Sequence, residues 1–199
     1  MYLIYVFVLL ILVYITPALS LFPSLLFSSR RIAAVPIISL FFIFIIETVL
    51  THFNSFDQKN LIIISTIISL TAIARVYLYH QTTQIKFFQK NHLILILFIL
   101  CLMLPFFFKM GLHSFSKHDE IYSWNMWAVQ HYLGETIDLY YVKSPYPQLY
   151  SVFLAYCYKL LGSLELQMPV RFLLAIFPLS MLIMIATSNK NDSKEKMMM

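Results

Sequence analysis

The stretch Tyr2–Phe27, YLIYVFVLLILVYITPALSLFPSLLF, carries no charged residue and outruns the roughly 20 apolar residues that a membrane-crossing helix needs. No basic stretch precedes it, and it is longer than the apolar region of a secretory signal peptide, so it reads as a retained span. Outward from it, the same texture returns at Ile32–Leu50, Leu61–Tyr79, Leu93–Phe108, Leu149–Leu161 and Val170–Thr187. Leu149–Leu161 is short, and its tyrosines and Lys159 predict an interfacial or tilted helix. The expected fold is all-α: a polytopic integral membrane helical bundle of five to six hydrophobic segments. One long extracytoplasmic loop carries a juxtamembrane helix. Residues 1–187 form a single transmembrane domain, and 188–199 form a polar tail with no apolar pattern, expected to be disordered.

Composition points the same way. The chain of 199 residues is 60% hydrophobic and 12% charged, whereas soluble domains run to roughly 45–50% apolar and about 25% charged. A mean hydropathy of +0.79 makes the bilayer the natural solvent. The net charge of +5 is modest, and no basic patch lies on a soluble face, which excludes a nucleic-acid partner. Cys101 and Cys157 lie inside apolar segments and read as small hydrophobes.

Lysine and arginine placement orients the bundle. Arg30 and Arg31 follow the first segment, while Arg75, Lys86 and Lys90 cluster at the end of the third. These mark the cytoplasmic side, and the turn between the second and third segments has only Lys59. Loop 109–147 then faces the extracytoplasmic side. The lysines of the tail favour a cytoplasmic C-terminus, which is reached if Leu149–Leu161 lies along the surface.

Loop 109–147 reads KMGLHSFSKHDEIYSWNMWAVQHYLGETIDLYYVKSPYP and gathers four of the nine carboxylates, both tryptophans and three of the six histidines. Ser116 suits a helix N-cap, with Asp119 and Glu120 in the first turn facing the positive end of the helix dipole. The run that follows is amphipathic, with Ile121, Trp124, Ala128 and Tyr132 near one face and Gly134 at its end. It predicts an interfacial helix on the outer leaflet. Asp119 and Glu120 are helix caps on one reading. On the other, they are carboxylates that take a proton from an acceptor hydroxyl or amine. His113, His118 and His131 match no standard zinc spacing, so no protein metal centre is expected, although Asp119 and Glu120 can share a divalent cation with a phosphate ligand. The Ser144-Pro145-Tyr146-Pro147 turn is either an aromatic anchor or the wall of a substrate groove, with Lys143 within reach of a phosphate. Glu47 and Arg75 fall near segment ends, where the simple expectation is that they reach water.

The order of these features resembles the GT-C superfamily of membrane glycosyltransferases. This superfamily includes the protein O-mannosyltransferases, the lipid A aminoarabinose transferases and the bacterial family 39-like proteins. The matching pieces are His118-Asp119-Glu120, then Tyr122–Ala128, then Ser144–Pro147, then Leu149–Gly162, then Val170–Leu174 with its Arg171. The resemblance implies inverting transfer of a sugar from a polyprenyl-phosphate donor to an extracytoplasmic acceptor, in a plasma membrane. It places Asp119 at the acidic position that activates or orients the acceptor, beside Glu120. It also implies His118, Trp124, Lys143 and Tyr146 as substrate-binding residues. In many members the acidic loop follows the first span and the chain runs to several hundred residues. Here four hydrophobic segments precede the loop, and the match corresponds to an N-terminal portion. The expectation is a chain that is inactive alone or completed by a missing half or a partner membrane protein. The competing class is a small non-enzymatic polytopic membrane protein, either a transport component or an assembly partner. An inverted-repeat transporter would carry paired broken helices and mid-membrane polar groups. Pro17, Pro36, Pro105 and Pro178 are not symmetrically placed.

Overall fold

The computed structural model describes residues 2–27, 29–82, 90–111, 125–134 and 149–187. Within them the chain is an all-α polytopic membrane bundle with no strand among the described residues. The elements are α1 (Tyr2–Leu9), a π turn (Leu10–Ile15), α2 (Thr16–Leu21), a 3-10 turn (Pro23–Phe27), α3 (Ser29–Ile32), α4 (Val35–His52) and α5 (Gln58–Thr82). They continue with α6 (Lys90–Gly111), α7 (Met126–Leu133), α8 (Leu149–Leu161), α9 (Gln167–Leu174) and α10 (Ile176–Thr187). Among the described residues four stretches are long and apolar enough to cross a membrane: Leu3–Leu21, Val35–His52, Gln58–Thr82 and Gln167–Ile185. The predicted segment Leu93–Phe108 lies within the 22-residue α6.

The first apolar stretch is not one uniform helix, and proline chemistry explains why. Pro17 has no N–H for the Val13 carbonyl, and its ring crowds the preceding turn. The chain widens into the π turn before it, where the Thr16 N–H reaches back to the Ile11 carbonyl. Pro23 then disfavours helical geometry at Phe22, which turns to φ −132°, ψ 77° and ends α2. The end of α2 is capped from α5, where Arg75 Nη1 donates to the Ser20 carbonyl at 2.6 Å. Arg75 therefore serves the basic end of the bundle, the end expected from the arginine and lysine distribution.

The outer helices show their apolar faces to the surroundings. Phe41, Ile45 and Val49 on α4, and Ile63, Ile67 and Leu70 on α5, are all exposed. In water such a surface would drive aggregation, whereas in a bilayer it is the lipid contact. Between helices, small polar residues let backbones approach, as they do in membrane bundles. Ser69 on α5 donates to Thr16 Oγ1 of α2 at 3.2 Å, and Ser65, one turn away, shares a 3.0 Å hydrogen bond with Tyr156 of α8.

The expected short helix Leu149–Leu161 is present as α8, and it is packed inside the protein. Every residue from Ser151 to Tyr158 is buried, and α8 packs against α4, α5, α7 and α9. A helix that is apolar all round belongs inside a bundle. Its tyrosines and its lysine are accommodated there because each hydroxyl or amine has a protein partner. Tyr156 pairs with Ser65, Tyr158 with Asn125, and Lys159 with the Tyr132 carbonyl. Aromatic packing fixes the inner part of α8. Phe153 meets Tyr14 edge-on at 5.3 Å between ring centroids and Phe177 at 5.8 Å. Such pairs contribute about 0.5–1.5 kcal/mol each beyond area burial. Tyr14 also ties this cluster to α9 through a 2.8 Å hydrogen bond to the Leu173 carbonyl.

Candidate functional site

The candidate residues Asp119, Glu120, His118, Trp124, Lys143 and Tyr146 all lie outside the described residues, as does His113. Of loop 109–147, residues 109–111 are described as the end of α6 and residues 125–134 carry a polar cluster that the sequence understated.

This cluster begins with α7. Its C-terminus is set by Gly134, which adopts φ 75° and lets its N–H close on the Gln130 and His131 carbonyls, as its place in the sequence predicts. Trp127 and Ala128 face inward and are buried, and α7 packs along α8. The expected apolar face through Ala128 and Tyr132 does pack on the core, with Ala128 fully buried, and Trp127 joins it as a large buried side chain beside that face. The reason is the partner surface: α7 lies on protein, with Asn125 Oδ1 accepting from the buried Tyr158 hydroxyl at 2.8 Å. Contact with α8 is a feature of this helix that the sequence did not show.

One turn from the C-terminus of α7, His131 Nδ1 lies 3.2 Å from Glu47 Oε1 of α4. Glu47 is only 2% exposed, so the expectation that it reaches water is corrected. Its carboxylate takes a second contact from Thr51, whose hydroxyl donates to the same oxygen at 3.2 Å. A carboxylate in an apolar helix is tolerated when partners satisfy it, and here the partners come from α7 and from one turn along α4. The His131 side chain is 15% exposed, yet its Nε2 is buried and has no hydrogen-bond partner among the described residues. Gln130 Oε1 of α7 and Ser151 Oγ of α8 are in the same state.

Lys159 closes this end of the bundle. Besides bonding the Tyr132 carbonyl, its ammonium lies 4.7 Å from the centroid of the Tyr132 ring and 5.6 Å from that of Phe56. Phe56 belongs to the turn between α4 and α5, and Gly162 at the end of α8 abuts Gln58 at the start of α5. The end of α4, the start of α5, helix α7 and the end of α8 therefore share one end of the bundle. Arg75 lies 17 residues along α5 from Gln58 (75 − 58), about 25 Å away at the helical rise. The polar cluster and the basic end are at opposite ends.

Chemically, the cluster places a carboxylate-held imidazole on α7, in the same sequence segment, 109–147, as the predicted acidic motif. Among the described residues no three histidine, cysteine or carboxylate side chains come together as a metal site. Cys101 is exposed and Cys157 is buried, and both are free. The Glu47–His131 pair was not legible in the sequence, because 84 residues (131 − 47) separate its members. The one available signal was a glutamate in an otherwise apolar helix. In comparisons with protein families, with curated proteins and with solved structures, nothing matches this chain.

Proposed function

We propose that this integral membrane protein is a glycosyltransferase of the GT-C type that takes a sugar from a polyprenyl-phosphate donor and passes it to an acceptor outside the cytoplasm. On this reading loop 109–147 faces the extracytoplasmic side. The acceptor hydroxyl attacks the anomeric carbon as the bond from that carbon to the phosphate oxygen breaks, and the polyprenyl phosphate leaves with the electron pair. Asp119 orients the acceptor and receives its proton, with Glu120 beside it. Lys143 faces the donor phosphate, while His118, Trp124 and Tyr146 line the sugar site.

The observation that carries the reading is the packing order of the pieces behind the resemblance. Helix α7 lies on α8, and α8 lies against α9 with Arg171 buried. Three segments that match the superfamily in order are thus also neighbours in space. A buried carboxylate–imidazole pair sits at the same end.

The test is binding of a polyprenyl-phosphate sugar to the purified protein, comparing wild type with Lys143→Ala and Asp119→Asn. Saturable binding that Lys143→Ala weakens about tenfold and Asp119→Asn leaves intact supports the reading. Absence of binding by wild type overturns it in favour of a non-enzymatic membrane protein.

A further inference from the structure

His131 is held in a way that leaves one of its nitrogens unaccounted for. Its Nδ1 faces the Glu47 carboxylate at 3.2 Å. A carboxylate accepts hydrogen bonds and cannot donate, so Nδ1 carries the proton, and in the neutral form of the ring the other nitrogen, Nε2, presents a lone pair. That lone pair is buried and has no donor among the described residues. Leaving a buried acceptor without a donor incurs its desolvation cost, and native structures rarely tolerate it. The ring cannot rotate away without removing a partner from Glu47, which is itself 2% exposed. Thr51 reinforces the hold by donating to the same carboxylate oxygen at 3.2 Å. The arrangement is therefore a positioned hydrogen-bond acceptor. Gln130 Oε1, on the residue next to His131, is a second buried acceptor without a partner.

We propose that His131 Nε2, oriented by Glu47, is a binding site for a hydroxyl group of a ligand, the hydroxyl donating its hydrogen to Nε2. The His131 side chain is 15% exposed, so the residue lies at the margin of the packed interior rather than deep within it. Choosing a sugar hydroxyl rests on the glycosyl-transfer reading, whereas the acceptor site itself does not. Glu47 is a positioning residue: it fixes the tautomer and does not touch the ligand.

The experiment is nitrogen NMR of the full chain in lipid nanodiscs, labelled with ¹⁵N-histidine and assigned with His131→Gln. The probes are methyl α-D-mannoside, its fully O-methylated counterpart and glycerol. The expected result is an unprotonated Nε2 whose resonance shifts saturably with the mannoside and not with the O-methylated sugar. In Glu47→Ala, which leaves Nδ1 without an acceptor, the response weakens at least tenfold because the tautomer is no longer fixed. A proton on Nε2 in the free protein, equal responses to the two sugars, or no response to any probe would overturn the site. A response to glycerol without one to the mannoside keeps the hydroxyl site and overturns its assignment to a sugar. Polyprenyl-phosphate-sugar binding, measured separately, reports on the transfer reading alone.

Discussion

The hydroxyl of Ser39 on α4 replaces a missing rung in the first helix by donating to the Tyr14 carbonyl at 2.9 Å while accepting the Ala18 N–H at 3.0 Å. Tyr14 and Ala18 are four residues apart, the spacing of an ordinary helical hydrogen bond. The π turn before Pro17 pulls these two groups apart, and a side chain from the neighbouring helix bridges them. Ser39→Ala should therefore lower stability by about 1–3 kcal/mol, because it strands a buried donor and a buried acceptor. In a Pro17→Ala background the helix can restore its own ladder, and the cost of Ser39→Ala should shrink. A double-mutant cycle on the thermal midpoint in detergent measures that coupling. Equal costs in both backgrounds would show that Pro17 is not the cause of the gap.

The Glu47–His131 pair makes a second prediction. Removing one member of a buried hydrogen-bonded pair strands its partner at a cost of about 1–3 kcal/mol, while removing both costs less than the sum. His131→Ala should destabilise strongly because it leaves the Glu47 carboxylate with Thr51 alone. Glu47→Gln should be milder, since the amide oxygen can still accept from Nδ1. Urea unfolding of the two single variants and of Glu47→Ala/His131→Ala would check the non-additivity.

These two contacts also show where the sequence is informative and where it is not. The bundle was legible because the bilayer imposes a local rule, long uninterrupted apolar runs, which each segment satisfies by itself. Gly134 was legible for the same reason, since a helix C-terminus is a local event. The burial of helix α8 was not legible because lateral packing decides it. Tyr156, Tyr158 and Lys159 look interfacial until Ser65, Asn125 and the Tyr132 carbonyl are seen beside them. Glu47 was discounted for a related reason. Distance from a helix end measures reach to water along α4 only, and α7 covers it from the side.

The end-sharing of α7 and the α4–α5 turn predicts labelling behaviour. Phe53 and Leu133 are both exposed, and they lie at the end of the bundle closed by Lys159. Arg31 and His80 are exposed at the opposite end. In a Cys101→Ala/Cys157→Ala background, Phe53→Cys and Leu133→Cys should react with a membrane-impermeant maleimide from one side. Arg31→Cys and His80→Cys should react only after the other side is opened. Labelling of Phe53→Cys and Leu133→Cys from different sides would contradict the packing of α7 on the bundle.

The two positive-φ glycines offer a comparison in which one variable changes. Gly162 (φ +71°) ends α8 with its own N–H on the Lys159 carbonyl and the Ser163 N–H on the Tyr158 carbonyl. This double bond is the Schellman arrangement, which favours glycine at that position. Gly134 (φ +75°) ends α7 in nearly the same conformation. A Cβ at Gly134 would meet nothing within 4 Å, whereas one at Gly162 would lie 2.3 Å from Gln58 Nε2. Both alanine variants suffer the left-handed strain of about 1–2 kcal/mol, but only Gly162→Ala must also push the Gln58 side chain aside. Gly162→Ala should therefore be the more destabilising of the two in a thermal melt. Adding Gln58→Ala should bring it down to the level of Gly134→Ala, because the blocking atoms are the far end of a flexible side chain. If Gln58→Ala gave no relief, the end of α8 would not rest on the start of α5, and the shared end of the bundle would lose one of its supports.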